Sequence, residues 1–264
     1  MTLKLYDHPL SPYAQKVKIL MREKGLAFQA VMPGGLGAGG AQGAFVAASP
    51  RAEVPALEDG EVRVFDSTII LEYLEDAYPE PALRPSVAAD RARVRMLEEV
   101  MDTHFEAITW GLSELAWFRR AEGELAETIR ANAARQIAGF YRWLDGELGD
   151  RPWFNGEAFG WGDLCVVPFV NGAVGQGHAV PAGSRLADWL ARANARPSVA
   201  ATVNDVRTWQ SGASMGDVAE LVAKGLFKRE YRDHRLEWMI KSGGLEVVVQ
   251  GVARDNIRFA PEFG

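Results

Sequence analysis

Cysteine is almost absent from the 264 residues: Cys165 stands alone, which excludes an internal disulfide. Met1-Thr2-Leu3-Lys4 leads straight into an alternating segment with no apolar leader, so a reducing cytoplasm is the expected setting. Excess positive charge is absent too. Twenty-nine Lys+Arg face thirty-five Asp+Glu, a formal net charge of −6 without the positive field that a phosphate backbone requires, so nucleic acid is not an expected partner. Long hydrophobic runs are likewise missing. Leu164 to Val170 is a short apolar stretch interrupted by Pro168, against the roughly 20 residues a bilayer span needs, and no membrane association is expected. The four histidines, His8, His104, His178 and His234, lack paired ligand spacing, and no metal is expected.

What is present is ordinary globular composition, 48% hydrophobic and 24% charged, enough for a packed core without staples. Leu3-Lys4-Leu5-Tyr6 alternates like a half-buried strand, and Ser11-Pro12 supplies an N-cap and a proline at the first helical position. The helix that follows should run to Gly25, with Lys16, Lys18, Arg22 and Lys24 among its apolar residues. Leu26 to Val31 reads as a second strand, which makes a right-handed parallel βαβ unit. Pro33 to Gly43, with six glycines and no charge, reads as an irregular connection. Residues 54–57 and 62–65 around Glu58-Asp59-Gly60-Glu61 read as a β-hairpin, and Asp66-Ser67 starts another helix.

Tyr78 to Pro85 packs three prolines into eight positions, a linker composition. We expect an α/β domain over 1–78, a linker over 79–86, an all-helical domain over 87–210 and an extension over 211–264. Helical spacing covers 87 to about 120, 122–148, 163–176, 185–194 and 198–210. In the extension, Leu245 to Val249 reads as a short strand.

Two pattern matches carry little. Gly35-x-Gly37-x-x-Gly40 satisfies a dinucleotide fingerprint inside a segment that is glycine-rich throughout, and Gly212-x-Ser214-x-Gly216 satisfies a nucleophile elbow without a buried strand before it. The set that holds together is Ser11-Pro12-Tyr13, Val54-Pro55 and Asp66-Ser67. Each has a bland reading as a cap or rigid turn, but their order on the β-α-β-β-β-α frame lets them converge at one sheet edge.

SPYAQKVKILMREKGLAF, EVPALEDG, DSTIILEYLEDAYPE, WFNGEAFGWGDLCVVPF and RPSV, in this order over nearly all of residues 1–210, resemble the glutathione S-transferase superfamily. The resemblance implies a thioredoxin-like N-terminal domain, an all-helical C-terminal domain and usually a homodimer. It also implies glutathione as co-substrate, a cis bond before Pro55, and Val54 main chain pairing with the peptide. Ser11, at a helix N-terminus, would stabilise the glutathione thiolate, and Tyr13 is an alternative hydroxyl. Ser67 would take the γ-glutamyl carboxylate and Asp66 the ammonium. Serine in place of cysteine favours thiolate attack on a hydrophobic or aromatic electrophile. A glutathione-dependent lyase or isomerase, β-etherase-like, and a non-catalytic interaction module remain as alternatives.

Three features qualify that picture. Glu53 would repel the glycyl carboxylate unless turned away, with Arg51 as a possible basic contact. Gly160-Trp161-Gly162-Asp163 resembles a capping box with glycine in the cap position. The electrophile pocket should draw on Tyr13, Met101, Phe105, Ile108 and Trp110, while Asp102 and Glu106 share a face read as solvated and Cys165 reads as an inert buried thiol.

Overall fold

The computed structural model describes residues 2–34, 36, 42–212, 220, 224 and 234–254. Strand β1, Leu3–Tyr6, lies between β2, Phe28–Val31, which runs parallel to it, and β3, Ala56–Asp59, which runs antiparallel. The strand β4, Val62–Phe65, completes the order β2-β1-β3-β4 by pairing antiparallel with β3. Helix α1, Pro12–Glu23, is the parallel crossover, capped by Ser11 and ended near Gly25, whose φ of +64° suits a residue without a Cβ. A short helix α2, Ala44–Ala48, precedes β3, and α3, Ser67–Ala77, follows β4. This is a thioredoxin-like unit.

Among the described residues, the regular structure after α3 is helical. Helix α4, Ala88–Val100, passes through a π-helical turn at Met101–Phe105 into α5, Glu106–Ala116, so the single helix expected over 87–120 carries an extra residue in one turn. Then come α6, Gly123–Leu148, α7, Trp161–Gly175, α8, Arg185–Asn194, and α9, Pro197–Gly212. Among the described residues of the extension, α10, His234–Lys241, and α11, Leu245–Ala253, are helices. The strand expected at Leu245 to Val249 is therefore a helix. Three consecutive valines favour a strand, but a strand needs a neighbour to accept its ladder, whereas a helix satisfies its own main chain. Both pattern matches lie wholly or largely outside the described residues: all three glycines of the first, and residues 213–216 of the second.

Helix α1 is buried without a break from Ala14 to Met21, including Lys16 and Lys18. Burial of an amine requires a partner, and each has one. Lys16 meets Glu98 and Asp102, each at 2.6 Å; Lys18 meets Asp7 at 2.8 Å and Asp205 at 2.6 Å; Lys24 meets Glu75 at 2.7 Å. The sheet unit is thus bolted to α4, the π turn and α9 by charge as well as packing. Asp163, at the start of α7, is fully buried yet saturated: it accepts from the main-chain amides of Phe154, Asn155 and Gly160 and from the Trp189 indole.

Candidate active site

The strand register builds the site. Tyr6 pairs with Ala56, and Ala56 pairs with Phe65. The segment leaving Tyr6 leads to Ser11, Val54-Pro55 enters at Ala56, and Asp66-Ser67 leaves Phe65, so one row of three paired residues brings all three to the same edge.

Ser11 caps α1 through its side chain: Oγ accepts the Ala14 amide at 3.3 Å, and the hydroxyl donates to no acceptor among the described residues. Its proton is therefore free for an incoming atom, beside the positive end of a twelve-residue helix. The Val54–Pro55 peptide is cis, and the Val54 main chain makes no hydrogen bond among the described residues. Asp66 takes φ +74° with ψ 129°, a positive-φ conformation outside the left-handed helical region that side chains rarely adopt, and its Oδ1 accepts from the amides of Thr68 and Ile69 at 3.0 and 3.3 Å. Ser67, the first residue of α3, is buried.

Tyr13 points elsewhere. Its hydroxyl donates to the Asp102 carbonyl at 2.7 Å, and its ring stands edge-on to Phe169 with centroids 5.8 Å apart. Glu53 is turned to Arg51 at 2.8 Å, so its charge is met within the loop, and the Arg51 contact expected for a ligand is engaged there. Of the expected pocket residues, Met101 and Phe105 are fully buried, Phe105 packing edge-on to Phe140 at 5.3 Å. Residues with no exposed surface have none to offer a ligand, and these two are core. Ile108 and Trp110 stay half-buried, and Trp110 faces Phe118 at 6.1 Å.

Sequence reasoning missed the charged cluster behind the site. Asp102, read as a solvated residue, is largely buried on the π turn. Burial pushes its carboxyl up to about 6; Lys16 opposes the rise, while Glu98 and Asp66 add to it. Burial works on Glu98 in the same direction, but Lys16, Thr68 and Trp161 overcome it and hold that carboxyl below its ordinary value. Burial would lower the Lys16 amine, and the two carboxylates raise it instead. Thr68 Oγ1 donates to Glu98 at 2.8 Å and the Trp161 indole at 2.7 Å, so α1, α3, α4 and α7 meet on one carboxylate. Cys165 is buried beside them, and burial pushes its thiol well above the ordinary range. The sequence signal was indirect: two lysines, Lys16 and Lys18, in a helix whose apolar residues leave no side for solvent. No cluster of three or more potential metal ligands occurs among the described residues, and no described helix is long and apolar enough to cross a membrane.

A mixed four-stranded sheet with a free hydroxyl capping its first helix, set against a helical unit, defines a thioredoxin-like protein with a helical C-terminal half. Residues 5–82 match the model for the glutathione S-transferase N-terminal domain, and residues 115–192 that for the C-terminal domain. Maleylacetoacetate isomerase of Pseudomonas aeruginosa is 30% identical over 190 residues, 70% of this chain and 87% of that one. A probable glutathione S-transferase, GSTU1, of Oryza sativa subsp. japonica is 32% identical over 176 residues, 64% and 72% of the two chains. Among solved structures, the theta class glutathione S-transferase of Xanthomonas axonopodis pv. citri with glutathione bound superposes with TM-score 0.67 at 26% identity, covering 76% of this chain and 97% of that one. The chain belongs to the glutathione S-transferase superfamily.

Proposed function

We propose that the protein is a glutathione transferase in which the Ser11 hydroxyl donates to the sulfur of bound glutathione and holds it as the thiolate. The observation that carries this reading is the free Ser11 proton on the sheet edge that also presents the unpaired Val54 main chain and the α3 N-terminus. A free thiol titrates near 8.5 and is mostly protonated at neutral pH; a hydroxyl donor and a helix dipole both favour its ionised form. The γ-glutamyl carboxylate lies on Ser67 and the first amides of α3, and Asp66, whose Oδ2 makes no hydrogen bond among the described residues, takes the ammonium. Glu53 is no obstacle to the glycyl end because Arg51 neutralises it.

The thiolate attacks a hydrophobic, aromatic electrophile held beside Ile108 and Trp110. The protein works in the cytoplasm as a homodimer, and a second copy would cover exposed apolar side chains such as Val62, Ile69 and Met96. Residues 1–78 form the glutathione-binding domain, 87–210 the electrophile-binding domain, with 79–86 between them and 211–264 appended.

Calorimetry with glutathione, followed by product analysis on halogenated arenes, β-aryl ethers and a cis-trans isomerisable diketo acid, tests the reading. Millimolar or tighter binding with conjugation of the arenes supports it. Ether cleavage or isomerisation alone would reassign the reaction while keeping the thiolate, and absence of glutathione binding would leave only a non-catalytic module.

A further inference from the structure

His8 sits three residues before Ser11 and holds the intervening turn from two sides. Its Nδ1 accepts the Leu10 amide at 3.2 Å, and its own carbonyl accepts the Ser11 amide at 2.8 Å. A ring nitrogen that accepts from an N–H carries a lone pair, so the imidazole is neutral with its proton on Nε2. Trp209, near the end of α9, covers the ring edge-on with centroids 4.8 Å apart.

We propose that His8 is a positioning residue for Ser11: its unprotonated Nδ1 and its carbonyl together clamp the turn that presents the hydroxyl to glutathione. This rests on the reading of Ser11 given above and adds a residue to it. Protonation at Nδ1 would set one N–H donor against another, break the bond to Leu10 and release the turn. The surroundings keep the ring neutral. Burial lowers its pKa, neighbouring Asp7 opposes this, and Lys18 of α1 adds to it. The charge of Asp7 is itself engaged by Lys18, which also pairs with Asp205 of α9, where Arg22 joins at 2.8 Å. From α9 the ring meets Trp209, an uncharged group.

Asparagine places its carbonyl oxygen where Nδ1 lies and does not titrate, which makes His8→Asn the discriminating variant. The expected result has three parts. His8→Asn keeps kcat/KM within about threefold of the parent at pH 8. His8→Leu, with no acceptor, loses roughly tenfold or more in kcat, with a higher pKa for bound glutathione. Nitrogen-15 NMR of the ligand-free protein finds the Nε2-protonated tautomer at neutral pH. A His8→Leu variant with the parent's kcat and bound-thiol pKa, or an Nδ1-protonated ring, would overturn the proposal. If glutathione is not bound at all, the reading of Ser11 fails, and the tautomer still decides whether His8 clamps the turn.

Discussion

The Tyr13 hydroxyl gives its only proton to the main-chain carbonyl of Asp102, across the junction between α1 and the π turn. A phenol engaged in this way stitches two parts of the fold together and has no proton for a sulfur atom. Tyr13→Phe should therefore leave the pKa of bound glutathione unchanged and cost about 1 kcal/mol of stability, the net value of one such bond. Urea denaturation and a thiol titration measure the two separately.

Lys16 is the cation for two buried carboxylates, Glu98 and Asp102. Replacing it by methionine keeps much of the volume and leaves two buried carboxyls without a cation, which must take up a proton or face each other as charges. The expected loss is about 3–5 kcal/mol in equilibrium unfolding, the range for a buried pair stripped of one partner. A loss below 1 kcal/mol would mean that water reaches the cluster.

Asp102 predicts a pH effect of definite sign. Its carboxyl titrates at about 6 in the fold, against 3.8 unfolded, so the folded state binds the extra proton between those values. The stability from this group is fully present below the unfolded value and is lost as pH rises through 6. Asp102→Asn cannot take up that proton. The stability of the parent relative to Asp102→Asn should therefore increase as pH is lowered from 7 to 5, as read by thermal unfolding of both proteins in the same buffers.

Gly160 explains the glycine in the capping position of α7. A Cβ built there would collide with the Leu83 carbonyl and the Asn155 side chain, both packed against the start of the helix. Asp163 still accepts the Gly160 amide at 3.0 Å, so half of the capping box survives. Gly160→Ser, which restores the usual cap chemistry on paper, should destabilise the protein by about 1–3 kcal/mol through overpacking. Differential scanning calorimetry would show the drop in melting temperature.

The sheet unit was legible because its signals are local. Ser11-Pro12, Gly25, the Asp59-Gly60 turn and the Asp66 cap each act within a few residues, and Leu3 to Tyr6 alternates with period two. The candidate site was legible for the same reason, since its residues stand at element ends. Lys16, Lys18 and Lys24 were not, because their partners Asp102, Asp205 and Glu75 come from other elements and only packing brings them together. The π turn also escaped, since an extra residue does not disturb the surrounding periodicity, and with it went the burial of Met101, Phe105 and Asp102. At Leu245 the intrinsic preference of valine pointed to a strand that had no partner to pair with.

The pKa of glutathione bound to the parent protein and to Ser11→Ala, followed by thiolate absorbance, tests the account most directly. A bound thiol at least one unit below its free value of about 8.5 in the parent, returning toward it in Ser11→Ala while binding persists, is the predicted result. An equal pKa in the two proteins would contradict it.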